Sequence, residues 1–192
     1  SRMGPIGTLL SLTGQALNAG DAFALGVATD FVPTDSMTDF QTDMVEFGIK
    51  EALDRHSTDK PVPAKFPVLK QIAETHFSKD TVEEIFNSLA EDSSEDAQAI
   101  LATLKKRSPA AMKVTLAQLQ KGANLDFNAC LNMEFRICQH ALNEHDFYEG
   151  IRSVLVDKDH NPAWKPASLA EVSVSYVEKH FESLGSRELL LN

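Results

Sequence analysis

The chain has 192 residues, 43% of them hydrophobic, and a formal net charge of −10 at pH 7. This length allows a sizeable hydrophobic core in one or two domains. The negative charge argues against direct binding to nucleic acid, which needs clustered Lys and Arg, and no apolar run approaches the roughly 18 residues of a membrane span.

Glycine residues punctuate the first part of the chain and predict short elements. The segment "IGTLLSL" is expected to form a helix that ends near Gly14, and Asp21 is expected to cap a second helix, "DAFALG", that stops at Gly26. One short strand is predicted near residues 27–32, closed by Pro33. The opening "SRMGPIGTLLSLTG" has no signal or transit character and is typical of the middle of a longer sequence, so we expect the chain to be a piece of one.

An amphipathic helix is predicted over residues 37–56, with one apolar face formed by Met37, Phe40, Met44, Phe47 and Leu53. The three prolines of "STDKPVPAKFPV" then indicate an extended connector. We therefore expect three parts: residues 1–57, arranged helix–helix–strand–helix, a connector over 58–68, and a helical region over 69–192.

Local helix signals dominate the third part. Thr81 and Glu84 have the spacing of a capping box, and "SSEDAQAILATLKKR" places acids in its first turn and cations in its last. Ser108 followed by Pro109 predicts another helix start, and Gly122 predicts the end of that helix. A long helix is predicted over 125–142. The fold class is therefore mainly α.

The segment His145–Trp164, "HDFYEGIRSVLVDKDHNPAW", concentrates charged residues around an apolar pattern. Asp146 and Glu149 have the spacing of a second capping box. Gly150 is expected to permit close approach of a neighbouring helix. A core-facing stripe is predicted from the helical spacing of Phe147, Ile151, Val154 and Leu155.

Three charged residues do not fit this structural interpretation fully. Lys158 lies at the predicted helix exit, where it either complements the helix dipole or contacts a phosphate. Arg152 is interpreted as a solvated or paired cation. Glu134 lies near the middle of an apolar helix face, so we expect a buried pair with Arg152 or with backbone amides at a helix start; a general acid or base is the alternative.

No catalytic or metal-binding constellation is recognisable from residue types. The six histidines show no metal-ligand spacing, and the nucleophile-elbow and phosphate-loop motifs do not occur. Cys130 and Cys138 are eight residues apart in one predicted helix, roughly 12 Å, which is too far for a disulfide. A reducing intracellular compartment is the simplest interpretation of this cysteine usage.

Several longer motifs resemble a known superfamily. The segment "LTGQALNAGDAFALGVATDFVP" resembles the stretch that follows the catalytic region in crotonases, the enoyl-CoA hydratase/isomerase superfamily. The segments "SPAAMKVTLAQLQKG", "LNMEFRICQHAL", "DFYEGIRSVLVDKDHNPAWKPASLAEV" and "HFESLGS" resemble the carboxyl half of its 3-hydroxyisobutyryl-CoA hydrolase subfamily. Residues 1–57 would then be the tail end of the crotonase core, and the rest its helical carboxyl-terminal part.

The resemblance implies hydrolysis of a CoA thioester in mitochondrial valine breakdown, with coenzyme A as part of the substrate and no separate cofactor. It implies that the oxyanion hole and the acidic catalytic residues lie in the amino half, upstream of Ser1. No catalytic residue is therefore carried onto this chain, and the chain alone is expected to be inactive. The implied partners are the acyl-CoA substrate, the missing amino-terminal half and further copies of the chain.

In crotonases a basic residue near an "EKR" element can approach the CoA phosphates. The matching position is Lys158, but "DKD" replaces "EKR" here, which removes one cation and adds an acid. Two alternatives to a hydrolase stay open: a hydratase or isomerase of the same superfamily, and a non-catalytic structural or interaction subunit that uses the helical half alone.

Overall fold

The computed structural model describes residues 3–189 and 191, which form two compact units. The smaller unit comprises residues 15–71. The larger unit combines the residues up to Gly14 with those from Ile72 onward. Helices dominate both units, and no β-strand occurs in the described ranges. None of the described helices combines the length and apolar character needed to cross a bilayer.

The smaller unit begins with α2 (Ala19–Ala24), which starts at a different cap from the predicted one. The side chain of Asn18, not Asp21, accepts the capping hydrogen bond, from the Asp21 N–H at 2.8 Å. The buried carboxylate of Asp21 instead accepts hydrogen bonds from the N–H groups of Lys65 and Phe66, at 3.0 and 2.9 Å. Asp21 therefore caps α5 (Phe66–His76), a helix that starts 45 residues later.

The predicted strand near residues 27–32 is wrong. The N–H groups of Val27 and Ala28 both point back to the carbonyl of Ala22, at 2.9 and 3.3 Å, and so extend the end of α2. A strand is stable only when a neighbour completes its hydrogen-bond ladder. Among the residues that the structure describes, the only distant one whose backbone bonds to this segment is Thr58, whose N–H donates to the Phe31 carbonyl.

The single helix predicted over 37–56 is two helices, α3 (Met37–Phe47) and α4 (Ile49–His56). The break is at Gly48, whose φ of +86° is a conformation that other residues rarely adopt. The predicted apolar face is not a core, because α3 buries none of its side chains and α4 buries only Ala52.

The larger unit opens with α1 (Gly4–Thr13), which ends at the left-handed Gly14 as predicted. Its other helices are α6 (Val82–Glu91), α7 (Glu95–Leu104), α8 (Pro109–Gly122), α9 (Phe127–Ala141), α10 (His145–Ile151) and α11 (Val174–Lys179). A π-helical turn, Arg152–Val156, continues α10.

The predicted starts of α6, α7 and α8 are confirmed. Thr81 and Glu84 form both bonds of a capping box at α6, and the side chains of Ser94 and Ser108 cap α7 and α8. α8 contacts α1, α6, α9 and α11, so it is the central helix of the unit. The core has fully buried side chains from three helices, Leu9 of α1, Val82, Ile85 and Leu89 of α6, and Leu104 of α7, each of which contributes roughly 1.5–3 kcal/mol through burial.

Candidate functional site

The larger unit contains a cavity of about 450 Å³, a volume typical of small-molecule sites. Side chains from α1, α8, α9, α10 and α11 form its walls together with the segment that carries Trp164. The walls are mainly apolar and include Leu12, Ala110, Val114, Ile137, Phe147 and Trp164. The polar residues on the walls include Ser108, Glu144, Asp146, Tyr176 and His180.

Glu144 connects the start of α10 to α11 beside the cavity. Its carboxylate accepts hydrogen bonds from the Tyr176 hydroxyl and the Lys179 ammonium, each at 3.1 Å. Burial acts to raise the pKa of Glu144, but the bonds from Lys179 and Tyr176 outweigh it and lower that pKa overall. Burial and the Glu144 charge raise the pKa of Tyr176 to about 12, so the phenol is a protonated donor at neutral pH.

His180 is the most enclosed titratable group of the cavity wall, with 4% of its surface exposed. Its Nδ1 lies 3.0 Å from the backbone carbonyl oxygen of Tyr176. Because a carbonyl oxygen only accepts, Nδ1 carries the proton. Burial lowers the pKa of His180 in spite of this hydrogen bond, so the ring is neutral at pH 7.

Asp146 links the start of α8 to the segment after the π-helical turn. Its carboxylate accepts hydrogen bonds from the Ser108 hydroxyl at 2.5 Å and the Lys165 N–H at 2.7 Å. The predicted capping box of Asp146 and Glu149 is wrong, because Asp146 is used by these distant partners and α10 has no side-chain cap. Ser108 also accepts the capping bond from the Ala111 N–H, so it serves structure rather than nucleophilic attack.

Glu149 and Arg152 form a bidentate ion pair that fixes the loop after the π-helical turn. The carboxylate lies 2.8 and 2.9 Å from two guanidinium nitrogens and accepts a third bond from the Ala163 N–H. Hydrogen bonds from Arg152, then that from Ala163, lower the pKa of Glu149 to about 2. Arg152 also binds the carboxylates of Asp157 and Asp159, each at 2.7 Å. Arg152 is therefore a paired cation, one of the two predicted states.

The stripe predicted to face the core is exposed, so that prediction is wrong. Phe147, Ile151, Val154 and Leu155 each have 37–66% of their surface exposed. The buried residues of this segment are the polar Glu149 and Ser153. The ion pair of Glu149 sets the inward face, and the wider π-helical turn shifts the spacing that a 3.6-residue period assumes. We call the four apolar residues the exposed stripe.

Gly150 has a different neighbour from the expected one. A Cβ atom at this position would lie 3.5 and 3.8 Å from ring atoms of Trp164, an ordinary van der Waals contact. The neighbour is thus a side chain of the following loop rather than a helix. The Trp164 indole N–H donates to the Lys106 carbonyl at 3.0 Å, which holds that ring in place.

Two further predicted residues lie away from any buried site. Glu134 is exposed and accepts one long bond, 3.4 Å, from Gln118, so the predicted buried pair with Arg152 does not form. The buried position of α9 is the adjacent Met133. Lys158 is exposed and has a φ of +56°, and its role toward a phosphate stays a prediction.

Sequence reasoning missed Glu144, Tyr176 and His180, which come together only because α11 packs on α8 and is hydrogen-bonded to Glu144. It also missed a Ser–His–Asp alignment, in which His76 lies 2.8 Å from the Ser88 hydroxyl and 3.0 Å from the Asp92 carboxylate. No member of that alignment lines the cavity, and it ties α5 to α6. The cavity wall thus offers binding groups rather than an activated nucleophile.

The helical architecture and the sequence together define the class of the protein. The chain matches the enoyl-CoA hydratase/isomerase family over residues 1–181 and belongs to that family. The predicted fold, the helical part of a crotonase, is confirmed apart from its strand.

Curated relatives narrow the comparison. A mitochondrial 3-hydroxyisobutyryl-CoA hydrolase of Xenopus laevis is 38% identical over 98% of this chain, and that of Homo sapiens is 36% identical over 97%. The chain spans about half the length of these relatives, 51% in both cases. Among solved structures, a carnitinyl-CoA dehydratase from Mycobacterium thermoresistibile has a TM-score of 0.88 and 31% identity, over 97% of this chain and 54% of its own.

Proposed function

We propose that the chain is the carboxyl-terminal half of a 3-hydroxyisobutyryl-CoA hydrolase. The observation that carries this proposal is the 36–38% identity to such hydrolases along nearly the whole chain. The full-length enzyme would hydrolyse a CoA thioester in valine breakdown, in the mitochondrial location named for the relatives. Coenzyme A would enter as part of the substrate, and no separate cofactor is required.

The proposed role of this half is to form a wall of the substrate pocket and a packing surface. The cavity of the larger unit supports the first role, and the exposed stripe supports the second, because large apolar side chains exposed together in one segment are typical of an interaction site. The occupant we propose for the stripe is the amino-terminal half, since the relatives are about twice as long as this chain.

The groups that break the thioester are proposed to lie in that other half. Thioester hydrolysis needs donors aimed at the carbonyl oxygen and a base that activates water. The Ser108 hydroxyl and the Asp146 carboxylate are engaged with each other, and Glu144 is engaged with Tyr176 and Lys179. These wall residues are therefore structural in our proposal.

Release of free CoA thiol from 3-hydroxyisobutyryl-CoA tests the proposal. The full-length reading frame should release thiol, and the 192-residue chain should show negligible turnover. Turnover by the chain near that of the full-length protein would contradict an upstream location of the catalytic groups. A full-length protein that hydrates an enoyl-CoA and releases no thiol would contradict the hydrolase.

Lys158 is proposed to contact a CoA phosphate, supported by its exposure at the end of the π-helical turn. A Lys158→Ala change in the full-length enzyme should raise KM more than it lowers kcat, because the lost contact is made equally in the ground and transition states. Lys105→Ala, which removes an exposed cation at the end of α7, is the control. An unchanged KM for Lys158→Ala would favour the helix-dipole role.

A hydratase or dehydratase of the same family is the second candidate. The structural likeness to the carnitinyl-CoA dehydratase favours it, because a TM-score of 0.88 covers 97% of this chain. Water addition to an enoyl-CoA leaves the thioester intact, so the thiol-release assay distinguishes the two reactions.

A further inference from the structure

One polar atom on the cavity wall has no assigned use. Because Nδ1 of His180 donates its proton to the Tyr176 carbonyl, Nε2 of the neutral ring holds a lone pair and accepts. No residue in the described part of the chain donates a hydrogen bond to it. His180 is 96% buried and lines the cavity, so this acceptor is available to a ligand or a water molecule in the cavity.

The surroundings of His180 define the kind of ligand that would fit. The cavity walls are mainly apolar, so the ligand needs an apolar body, and burial of a net charge there would be costly. The carboxylates of the cavity wall already accept hydrogen bonds: Glu144 from Tyr176 and Lys179, and Asp146 from Ser108 and a backbone N–H. The group still missing is one uncharged hydrogen-bond donor for Nε2 of His180.

We propose that the cavity binds a short branched hydroxy compound whose apolar body packs on the α8 and α9 walls and whose hydroxyl donates a hydrogen bond to Nε2 of His180. This inference rests on the proposed function, because a 3-hydroxyisobutyryl group has one such hydroxyl on a short branched skeleton. His180 would then recognise the hydroxyl and contribute to acyl-chain specificity.

The groups that face His180 explain why the acceptor is available at neutral pH. Tyr176 and Lys179 of α11, Glu144 before α10 and His140 of α9 surround the ring, with the His140 ring centroid 6.1 Å away. Burial lowers the pKa of His180 and the Lys179 charge acts in the same direction, while the bond to Tyr176 and the Glu144 charge act against this. Protonation at acidic pH would place a proton on Nε2 and remove the acceptor, so binding should weaken there.

Binding of matched uncharged and charged pairs tests the inference. The first pair is methyl 3-hydroxyisobutyrate and methyl isobutyrate, which mimic an esterified acyl group; the second is the two corresponding free acids. Dissociation constants are measured by NMR titration of the 192-residue chain and of the full-length protein. We expect the hydroxylated member of a pair to bind at least about fivefold tighter, the effect of one net hydrogen bond.

The ester pair and the acid pair distinguish two possible ligands that carry the same hydroxyl, the acyl group of the thioester and the released acid. A preference confined to the esters assigns the site to the acyl group of a thioester, and one seen with the acids assigns it to the released product. Equal affinity within both pairs, or no binding by any of the four compounds, would overturn the proposal. Binding to the short chain but not to the full-length protein would also overturn it, because another segment would then occupy the cavity.

Two variants locate the contact. His180→Phe keeps a ring of similar size but removes the acceptor, so it should abolish the hydroxyl preference while the non-hydroxylated compounds bind as before. Ala111→Leu adds volume at the cavity wall and should weaken all four compounds. If His180→Phe does not fold, the Ala111→Leu variant and the compound pairs on the unmodified chain still test whether the cavity binds the hydroxy compound. A preference that persists in folded His180→Phe contradicts the contact. Thiol release by the full-length enzyme tests the proposed function separately.

Discussion

The helices α6 to α8 and the segment 145–163 carry similar local signals, but only the first region folds as those signals predict. At α6 the Thr81–Glu84 spacing forms a real capping box, and the apolar residues of that helix are buried. In the other region the same spacing of Asp146 and Glu149 forms no cap, and the apolar residues are exposed.

The difference lies in where the polar side chains find partners. Thr81 and Glu84 satisfy each other within one helical turn, at 3.0 and 3.2 Å. Asp146 and Glu149 are bound by N–H groups from 14 to 19 residues away, those of Ala163 and Lys165. A short-range motif predicts structure only when no distant donor competes for the same carboxylate.

The largest expected effect is the difference in stability loss between a buried leucine of the first region and an exposed leucine of the second. Leu89→Ala on α6 should lower the free energy of unfolding by about 3 kcal/mol, because Leu89 is fully buried and its removal leaves a cavity. Leu155→Ala on the exposed stripe, with 66% of the residue exposed, is the matched control and should cost less than about 0.5 kcal/mol. Urea denaturation measures both. Equal losses would mean that the stripe is packed after all.

The Glu149–Arg152 pair should make stability depend on pH. Arg152 lowers the pKa of Glu149 from 4.5 to about 2 in the folded chain, so its contribution is complete above pH 4.5 and is lost as the pH falls toward 2. Glu149→Gln should therefore destabilise the chain at pH 7 and flatten the decline of stability between pH 4.5 and 2.

Urea denaturation at several pH values checks this expectation. Glu134→Gln removes the same charge from an exposed side chain with one long hydrogen bond, and it should alter stability less at neutral pH. An unchanged pH profile for Glu149→Gln would show that the ion pair does not stabilise this segment.

The capping box of α6 should have a measurable but smaller effect. Thr81→Ala removes the oxygen that accepts the Glu84 N–H and should cost about 1 kcal/mol. Thr81→Ser keeps that oxygen and should cost much less, which makes it the control. Thermal or urea unfolding of the two variants measures the difference. Equal costs would assign the effect to the lost methyl group instead of the cap.

The smallest effect is expected at Gly150. A Cβ atom there would make ordinary contacts with Trp164, and alanine favours a helix over glycine by about 1 kcal/mol. Gly150→Ala should therefore leave stability unchanged or raise it by up to about 1 kcal/mol. A clear loss in the free energy of unfolding, measured by urea denaturation, would support the close helix packing predicted from the sequence.

Local signals were enough to predict the starts of α6, α7 and α8 but not the candidate site. The starts of α6, α7 and α8 follow from bonds that join residues three apart, such as Ser108 and Ala111, so a short window contains both partners. The contact of Glu144 with Lys179 joins residues 35 apart, and no periodicity predicts it. The short strand failed for a related reason, because a strand depends on a neighbour that its own sequence does not specify.

The buried carboxylate of Asp21 joins two short segments of the smaller unit that are far apart in the sequence. The amides of Lys65 and Phe66 begin α5, a position where helix ends normally fray, yet both donate to the same oxygen of Asp21. Their amide protons should consequently exchange with deuterated water at a common, slow rate set by the opening of α2. Asp21→Asn would weaken that anchor and let the first turn of α5 exchange on its own timescale.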